Sequence, residues 1–349
     1  MGVVLDQSMT LADALESAST HHLQGRYADA MALYEAVLER EPDNAQARMN
    51  LGMLLLLHGN FEDGWPAFKW RRHAQPNQLP LWDGSELNGK GVLIRGEQGA
   101  GDNIQFLRYL PFVAARGGRA SVLTLPGMKR LLGSMDSGIE ILEPGDQASD
   151  LHVEVPVMDL PGLAGTSIDS IPAPVPYLYA EPALQEAWEG RLGPAAGRRI
   201  GLCWQGNPEK PRDELRSIAL NRFLPLFARP GIQWFGLQVG AGEDQVPELD
   251  GNADFTHLGP HLGAGPDKFI EAAAVIATLD LVITVDTAIA HLAGALGRPV
   301  WILLPKIPDW RWLLERQDSP WYPTARLFRQ VTAGDWNAPL DAMADELNA

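Results

Sequence analysis

At 349 residues the chain exceeds one ordinary core, and at ~100–200 residues per domain it is expected to divide into two or three. A formal net charge of −16, from 28 basic against 44 acidic residues with no Lys/Arg-rich run, excludes a nucleic-acid partner and disfavours an acidic membrane as a dedicated one. The single cysteine, Cys203, excludes an intramolecular disulfide and any all-cysteine metal site, and the 46% hydrophobic fraction is that of a globular protein.

The amino-terminal stretch MGVVLDQSMTLADALES has neither a basic n-region nor a long apolar core. With no uninterrupted apolar run of about 18 residues either, the expectation is a soluble, cytoplasmic protein without a transmembrane segment. The next residues carry an internal repeat. Gly25, Tyr27, Ala30 and Tyr34 recur as Gly59, Phe61, Gly64 and Phe68, each 34 positions on, which is the tetratricopeptide period. Pro42 closes the first unit, and Asn50-Leu51-Gly52 opens the second. Two units are fewer than the three or so that a free-standing solenoid needs. The pair is therefore either a helical cap on the next domain or part of a site for a protein or peptide partner.

Residues 75–90 turn to Pro, Asn, Gly and Asp and mark a linker or docking loop. Beyond it apolar strands at 91–95, 120–125, 139–142 and 151–155 alternate with helical pattern, the clearest helix being 103–116. A Pro-rich passage, 171–184, reads as a hinge. A second alternation follows, with strands at 199–204, 232–238, 255–258, 279–285, 300–304 and 325–329. The fold class is α/β with parallel sheets: an all-α segment at 1–75, one α/β half at 76–180 and another at 181–349, with a cleft between the halves.

Three turns in this pattern are chemically loaded. VLIRGEQGAGDNIQF runs from strand through Gln98, Gly99 and Gly101 into a helix, where glycines let backbone approach a ligand. It is a poor dinucleotide fingerprint, because Ile104 stands where the third glycine belongs. Asp102 at the helix start is either a general base or a helix N-cap. In the second half, the strand ending at Trp204 leads through Gly206 and Asn207 to Lys210, Arg212, Arg216 and Ser217, either an anion site or a solvated loop. Further on, 278–305 reads as strand, polar turn, helix and strand. Asp286, Thr287 and Ala288 lie at the strand's carboxyl end, where open α/β sheets bind ligands, and His291 falls on the same helix face as Thr287. His291 is otherwise an interior histidine. Arg311 lies in a late aromatic run, 309–323, that is expected to be mostly packing, and it is a candidate to reach a phosphate. There is no Asp-x-Asp pair after a strand, cysteine cluster, Gly-x-Ser-x-Gly or Gly-Lys-Ser/Thr motif, so no metal site, serine elbow or phosphate loop is expected.

EQGAGD, GLCWQGNP and VDTAIAHLAGALGRPVW together resemble the three marks of glycosyltransferase family 9, the heptosyltransferase-like enzymes. The passage PDWRWLLERQDSPWYPTARLFRQ resembles the tetratricopeptide-bearing variant of that family, and the resemblance runs through essentially the whole chain. It implies a GT-B fold of two facing Rossmann-like halves and an inverting, metal-independent transfer, with a nucleotide-sugar as co-substrate and no cofactor. It implies the acceptor-activating base at Asp102, and the donor diphosphate and sugar at Asp286, Thr287, Ala288 and His291. Trp204, Gly206 and Asn207 then border the nucleotide, with Arg216, Gln238 and Arg311 counted on the donor side. Heptosyltransferases commonly show Gly after the Asp-Thr pair where this chain has Ala288, so the donor sugar does not carry over. The competing expectation is a catalytically silent scaffold whose repeats bind a partner. A lipid-linked acceptor is disfavoured by the lack of a basic amphipathic segment.

Overall fold

The computed structural model describes residues 9–73, 76–135, 138–249 and 255–348. Gln75, where the linker reading begins, and the amino-terminal residues 1–8 lie outside them. The chain forms two compact units.

The helical unit holds the residues up to Gln78 together with Asp159–Ile171 and Lys306–Arg316. Helices α1 (Leu11–Leu23), α2 (Tyr27–Arg40), α3 (Ala45–Leu57) and α4 (Phe61–Phe68) form two antiparallel pairs. The starts of α1, α3 and α4 are set by polar side chains that satisfy orphan amides, whereas α2 begins after Arg26 without a side-chain cap. Thr10 Oγ1 accepts from Asp13 N at 3.1 Å, and the Asp13 carboxylate accepts in return from Thr10 N at 3.2 Å. Asn44 and Asn60 cap α3 and α4 in the same way. Gly25 and Gly59, the first residues of the repeat, sit at φ +73 and +80 at the turns within each pair, a conformation that a side chain strains. The later repeat positions, Ala30, Tyr34, Gly64 and Phe68, all face the interior.

A two-repeat array leaves an apolar flank, and the two later segments cover it. Trp310 lies edge-on to Trp65 and tilted against Phe68, with ring centres 5.5 and 5.6 Å away. Trp65 Nε1 donates to the Thr166 carbonyl at 2.9 Å. Arg71 pairs with Asp159 at 2.7 Å, their side chains only 5% and 7% exposed. Ile307 and Ile168 pack over Gly25 and Gly59.

Among the described residues the second unit carries ten strands in two all-parallel sheets. β1 (Gly91–Arg95), β2 (Arg119–Leu123), β3 (Glu140–Leu142) and β4 (Leu151–Pro156) lie in the order β3-β2-β1-β4. β5 (Arg198–Cys203), β6 (Ile232–Gly236), β7 (Phe255–His257), β8 (Leu281–Val285), β9 (Val300–Leu304) and β10 (Ala325–Arg329) lie in the order β10-β9-β8-β5-β6-β7. The central β8 is buried along its whole length and reads Leu-Val-Ile-Thr-Val, as a parallel strand covered on both faces does. The single helix expected at 103–116 is broken. α5 (Ala100–Phe106) ends in the tight turn Leu107–Tyr109, and α6 (Leu110–Ala115) starts afresh with Pro111 in its first turn. Proline has no N–H for a continuous ladder but suits a helix start.

Strand order reverses between β1 and β4 in one sheet and between β5 and β8 in the other. Such switch points open crevices beyond the carboxyl ends of the strands. The three loaded turns follow β1, β5 and β8.

Candidate active site

The turn after β1 is closed by Asp102. Its Oδ2 accepts from Gly99 N at 2.8 Å, so the residue caps α5 from the third helical position while remaining partly exposed. Asn103, fully buried, donates Nδ2 to the carbonyls of Glu97 and Gly99 and holds the turn from below. Gln98 is exposed at φ 58, a left-handed conformation that costs a non-glycine residue of order 1 kcal/mol.

Gly101 faces away from this turn, toward the other sheet's helix. A methyl at Gly101 would stand 2.7 Å from His291 Cδ2, 3.4 Å from His291 Nε2 and 3.4 Å from Ala288 Cα. The start of α5 and the helix Ala288–Ala295 therefore meet with almost no gap, and a methyl at Gly101 would have to displace the His291 ring. Asp102, Ala288 and His291 are brought into one crevice by this contact.

On the β8 side, Thr287 caps the Ala288–Ala295 helix, its Oγ1 accepting from Ile289 N at 3.3 Å and lying 3.1 Å from Thr284 Oγ1. Arg216 reaches the same turn from the loop after β5, with Nη1 donating to the Asp286 carbonyl at 2.9 Å. It is aimed by buried Asp213, whose Oδ1 accepts from Arg216 Nε at 2.8 Å and whose Oδ2 accepts from Ser217 Oγ at 2.7 Å. Ser217 Oγ in turn accepts from Gly206 N at 3.0 Å. Gly206 is a packing requirement, since a methyl there would lie 2.8 Å from two Arg216 nitrogens. Of the three loop cations, Arg216 joins the β8 turn, whereas Lys210 and Arg212 are exposed along with Asn207.

Trp204 and Gln238 are placed behind the crevice. The Trp204 ring is fully buried and packs edge-on against Phe255 at 6.1 Å, so this residue shapes the turn through its backbone. Buried Gln238 ties the turn after β5 to the loop after β6: Oε1 accepts from Trp204 N and Gln205 N at 3.2 and 3.0 Å, and Nε2 donates to the Gln205 and Ala241 carbonyls at 3.1 and 2.7 Å. Cys203 lies beside it, 3.8 Å from Thr287 Oγ1. Burial pushes its thiol above the ordinary range, against the smaller opposing effect of its hydrogen bonds, and keeps it neutral. Arg311 belongs to the helical unit, paired with Asp309 at 2.9 Å and stacked on Trp310 at 4.5 Å.

Two features escaped sequence reasoning. Beside the β5 loop lies a cavity of about 520 Å3 lined by Gln205, Asp213, Ser217, Ile218, Gln245 and Glu248. His291 Nδ1 lies 2.9 Å from the hydroxyl of buried Tyr322. Tyr322 is one of several aromatics in the 309–323 run, and nothing local in that run singles it out. Among the described residues no group of three or more His, Cys, Asp or Glu side chains is arranged to hold a metal ion.

Residues 23–69 match the tetratricopeptide repeat family, and residues 250–303 match glycosyltransferase family 9 (heptosyltransferase). The second match contains β8, the Asp286-Thr287 turn and the helix bearing His291. The chain is 28% identical over 389 aligned residues to Protein FlbA of Caulobacter vibrioides, covering 99% of this chain but 63% of that protein. It thus spans less than two thirds of the curated relative's length. Among solved structures, the glycosyl transferase family 9 protein from Veillonella parvula is similar at a TM-score of 0.53 and 12% identity, covering 76% of this chain and 97% of that one. E. coli ADP-heptose lps heptosyltransferase II, at 15% identity, covers 74% of this chain and 97% of its own with a TM-score of 0.48. The α/β unit has the heptosyltransferase-like GT-B fold, and the helical unit carries the repeats.

Proposed function

We propose that this chain is a glycosyltransferase that moves a sugar from a nucleotide-sugar donor to a hydroxyl acceptor, with inversion and without a metal or other cofactor. The observation that carries the reading is the Gly101 junction, which sets Asp102 of one sheet's crevice beside Ala288 and His291 of the other's, inside the segment matched to glycosyltransferase family 9. Asp102 takes the proton from the acceptor hydroxyl as its oxygen attacks the anomeric carbon. The bond from that carbon to the diphosphate breaks, and its electron pair leaves on the diphosphate. The amino terminus of the Ala288–Ala295 helix, Thr287, His291 and the Arg216 guanidinium stabilise that charge, with Gly206 and Asn207 bordering the nucleotide.

A protein acceptor is part of the reading and is supported by the tetratricopeptide match. The flank bearing Trp65 and Phe68 is already covered by Trp310, so the acceptor uses another surface. The cytoplasmic location is proposed too; no helix of the described residues is long and apolar enough to cross a membrane.

Nucleoside diphosphate release from a panel of nucleotide-sugars, with and without EDTA, tests this. Turnover is expected in both conditions. Asp102→Asn, whose amide oxygen still caps Gly99 N, is expected to lower kcat at least 10²-fold, at the low end of what general-base removal costs, with donor Kd little changed. Full turnover in Asp102→Asn would remove the base from Asp102, and loss of turnover in EDTA would remove the metal-free mechanism.

A further inference from the structure

We propose that Tyr322 is a positioning residue for His291: its hydroxyl donates to Nδ1, keeps the ring proton on Nε2 and turns that N–H toward the Gly101 junction. The inference rests on the reading of this crevice as the donor-diphosphate site.

The contact is built from several sides. Tyr322 is fully buried with its hydroxyl 2.9 Å from His291 Nδ1, and the two rings meet edge-on at 5.7 Å. Its ring lies against Gly294, three residues along the same helix from His291; a methyl at Gly294 would come within 2.8 Å of Tyr322 Cε1. From the opposite side buried Arg108 clamps the segment. Its Nη1 donates to the Trp321 carbonyl at 2.5 Å, Nη2 donates to the Tyr177 hydroxyl at 3.4 Å, and the guanidinium lies 4.8 Å from the Tyr322 ring centre and 5.0 Å from that of Tyr177. None of these partners is a carboxylate. A buried cation beside the phenol makes its O–H the better donor and its oxygen the poorer acceptor, and it also disfavours a second proton on the neighbouring imidazole.

Which imidazole nitrogen carries the proton is set by the bond the other one makes. With Nδ1 accepting from Tyr322, Nε2 bears the hydrogen, and Nε2 is the nitrogen that lies 3.4 Å from a methyl built on Gly101. A neutral imidazole held this way presents a fixed N–H donor at the junction, which suits an anionic oxygen of a diphosphate. Had the tyrosine merely filled space, a phenylalanine would serve.

The full chain labelled with ¹⁵N-histidine, with the His291 signals assigned by their loss in His291→Ala, reads the tautomer directly by NMR. The expected result is Nε2–H in the wild type and loss of that preference in Tyr322→Phe. An Nδ1–H ring in the wild type, or a tautomer indifferent to Tyr322→Phe, overturns the proposal. Binding of inorganic pyrophosphate is the second measurement, in a double-mutant cycle. Tyr322→Phe is expected to weaken it about 10-fold, the loss of one hydrogen bond to a charged group, and to add nothing on a His291→Ala background. Additive losses overturn it. If the wild type binds neither pyrophosphate nor any nucleoside diphosphate, the donor-site reading falls, and the tautomer still decides for or against the tyrosine.

Discussion

The helical unit and the α/β unit use the same small residues for opposite ends. In the helical unit, Gly52 and Gly64 remove side chains so that helix can lie on helix: a methyl at Gly52 would stand 2.8 Å from the Ala67 carbonyl carbon and 2.9 Å from Phe68 Cα, and one at Gly64 would strike Leu56. The space is filled by backbone and by aliphatic side chains, and the flank beyond is covered by Trp310. In the α/β unit, Gly101, Gly206 and Gly294 make room for His291, Arg216 and Tyr322. Those neighbours are polar side chains that converge on the β8 turn. Glycine in one region closes a core; in the other it lets chemistry-bearing groups lie against backbone.

The contrast is most sharply tested by adding a methyl on each side of it. Gly52→Ala raises helix propensity by about 1 kcal/mol, yet its Cβ meets rigid backbone that cannot rotate away. The clash is expected to win by about 3 kcal/mol, lowering the melting point of the helical unit by more than about 10 °C in a thermal scan followed by circular dichroism. An unchanged or higher melting point would show that α3 and α4 have room to part.

Gly101→Ala meets the edge of the His291 ring closely and the Ala288 backbone only at 3.4 Å, so a net stability change under about 1 kcal/mol is expected. Its effect falls on turnover. Displacing His291 from the junction by a fraction of an ångström is expected to cost kcat about 10²-fold, because misplacement near 1 Å costs that much in a preorganised site. A variant that melts early and turns over normally would invert the comparison and make Gly101 a packing glycine like Gly52.

The two regions also differ in how plainly the sequence announces them. The strands of the described residues fall on the strand runs read from the sequence, and the repeat glycines stand at the turns that their 34-residue spacing implies, because period and propensity are local properties. The covering of the repeats by Asp159–Ile171 and Lys306–Arg316 is a long-range matter: Trp65 bonds to Thr166, 101 residues away, and no window of sequence contains both. Arg311 stands beside Asp309 and Trp310, its ion-pair and stacking partners, in one of those late segments. At the crevice, Asp286, Thr287 and His291 were legible from one strand–turn–helix pattern. Tyr322 was not, since its bond to His291 spans 31 residues and its own neighbourhood reads only as aromatic packing.

The smallest effects should come from the helix caps, where the two units use one device with different consequences. Thr10 caps α1 and Thr287 caps the Ala288–Ala295 helix, each through a hydroxyl accepting a backbone N–H, at 3.1 and 3.3 Å. Thr10→Ala and Thr287→Ala are each expected to cost about 1 kcal/mol of stability. Only the second removes a group from the crevice, where Thr287 Oγ1 also lies 3.1 Å from Thr284 Oγ1. Isothermal titration with a nucleoside diphosphate should therefore leave Thr10→Ala at wild-type affinity and weaken Thr287→Ala about 10-fold, the value of one hydrogen bond to a charged ligand. Equal affinities in the two variants would reduce Thr287 to a cap of the helical unit's kind and leave the diphosphate to Arg216 and His291.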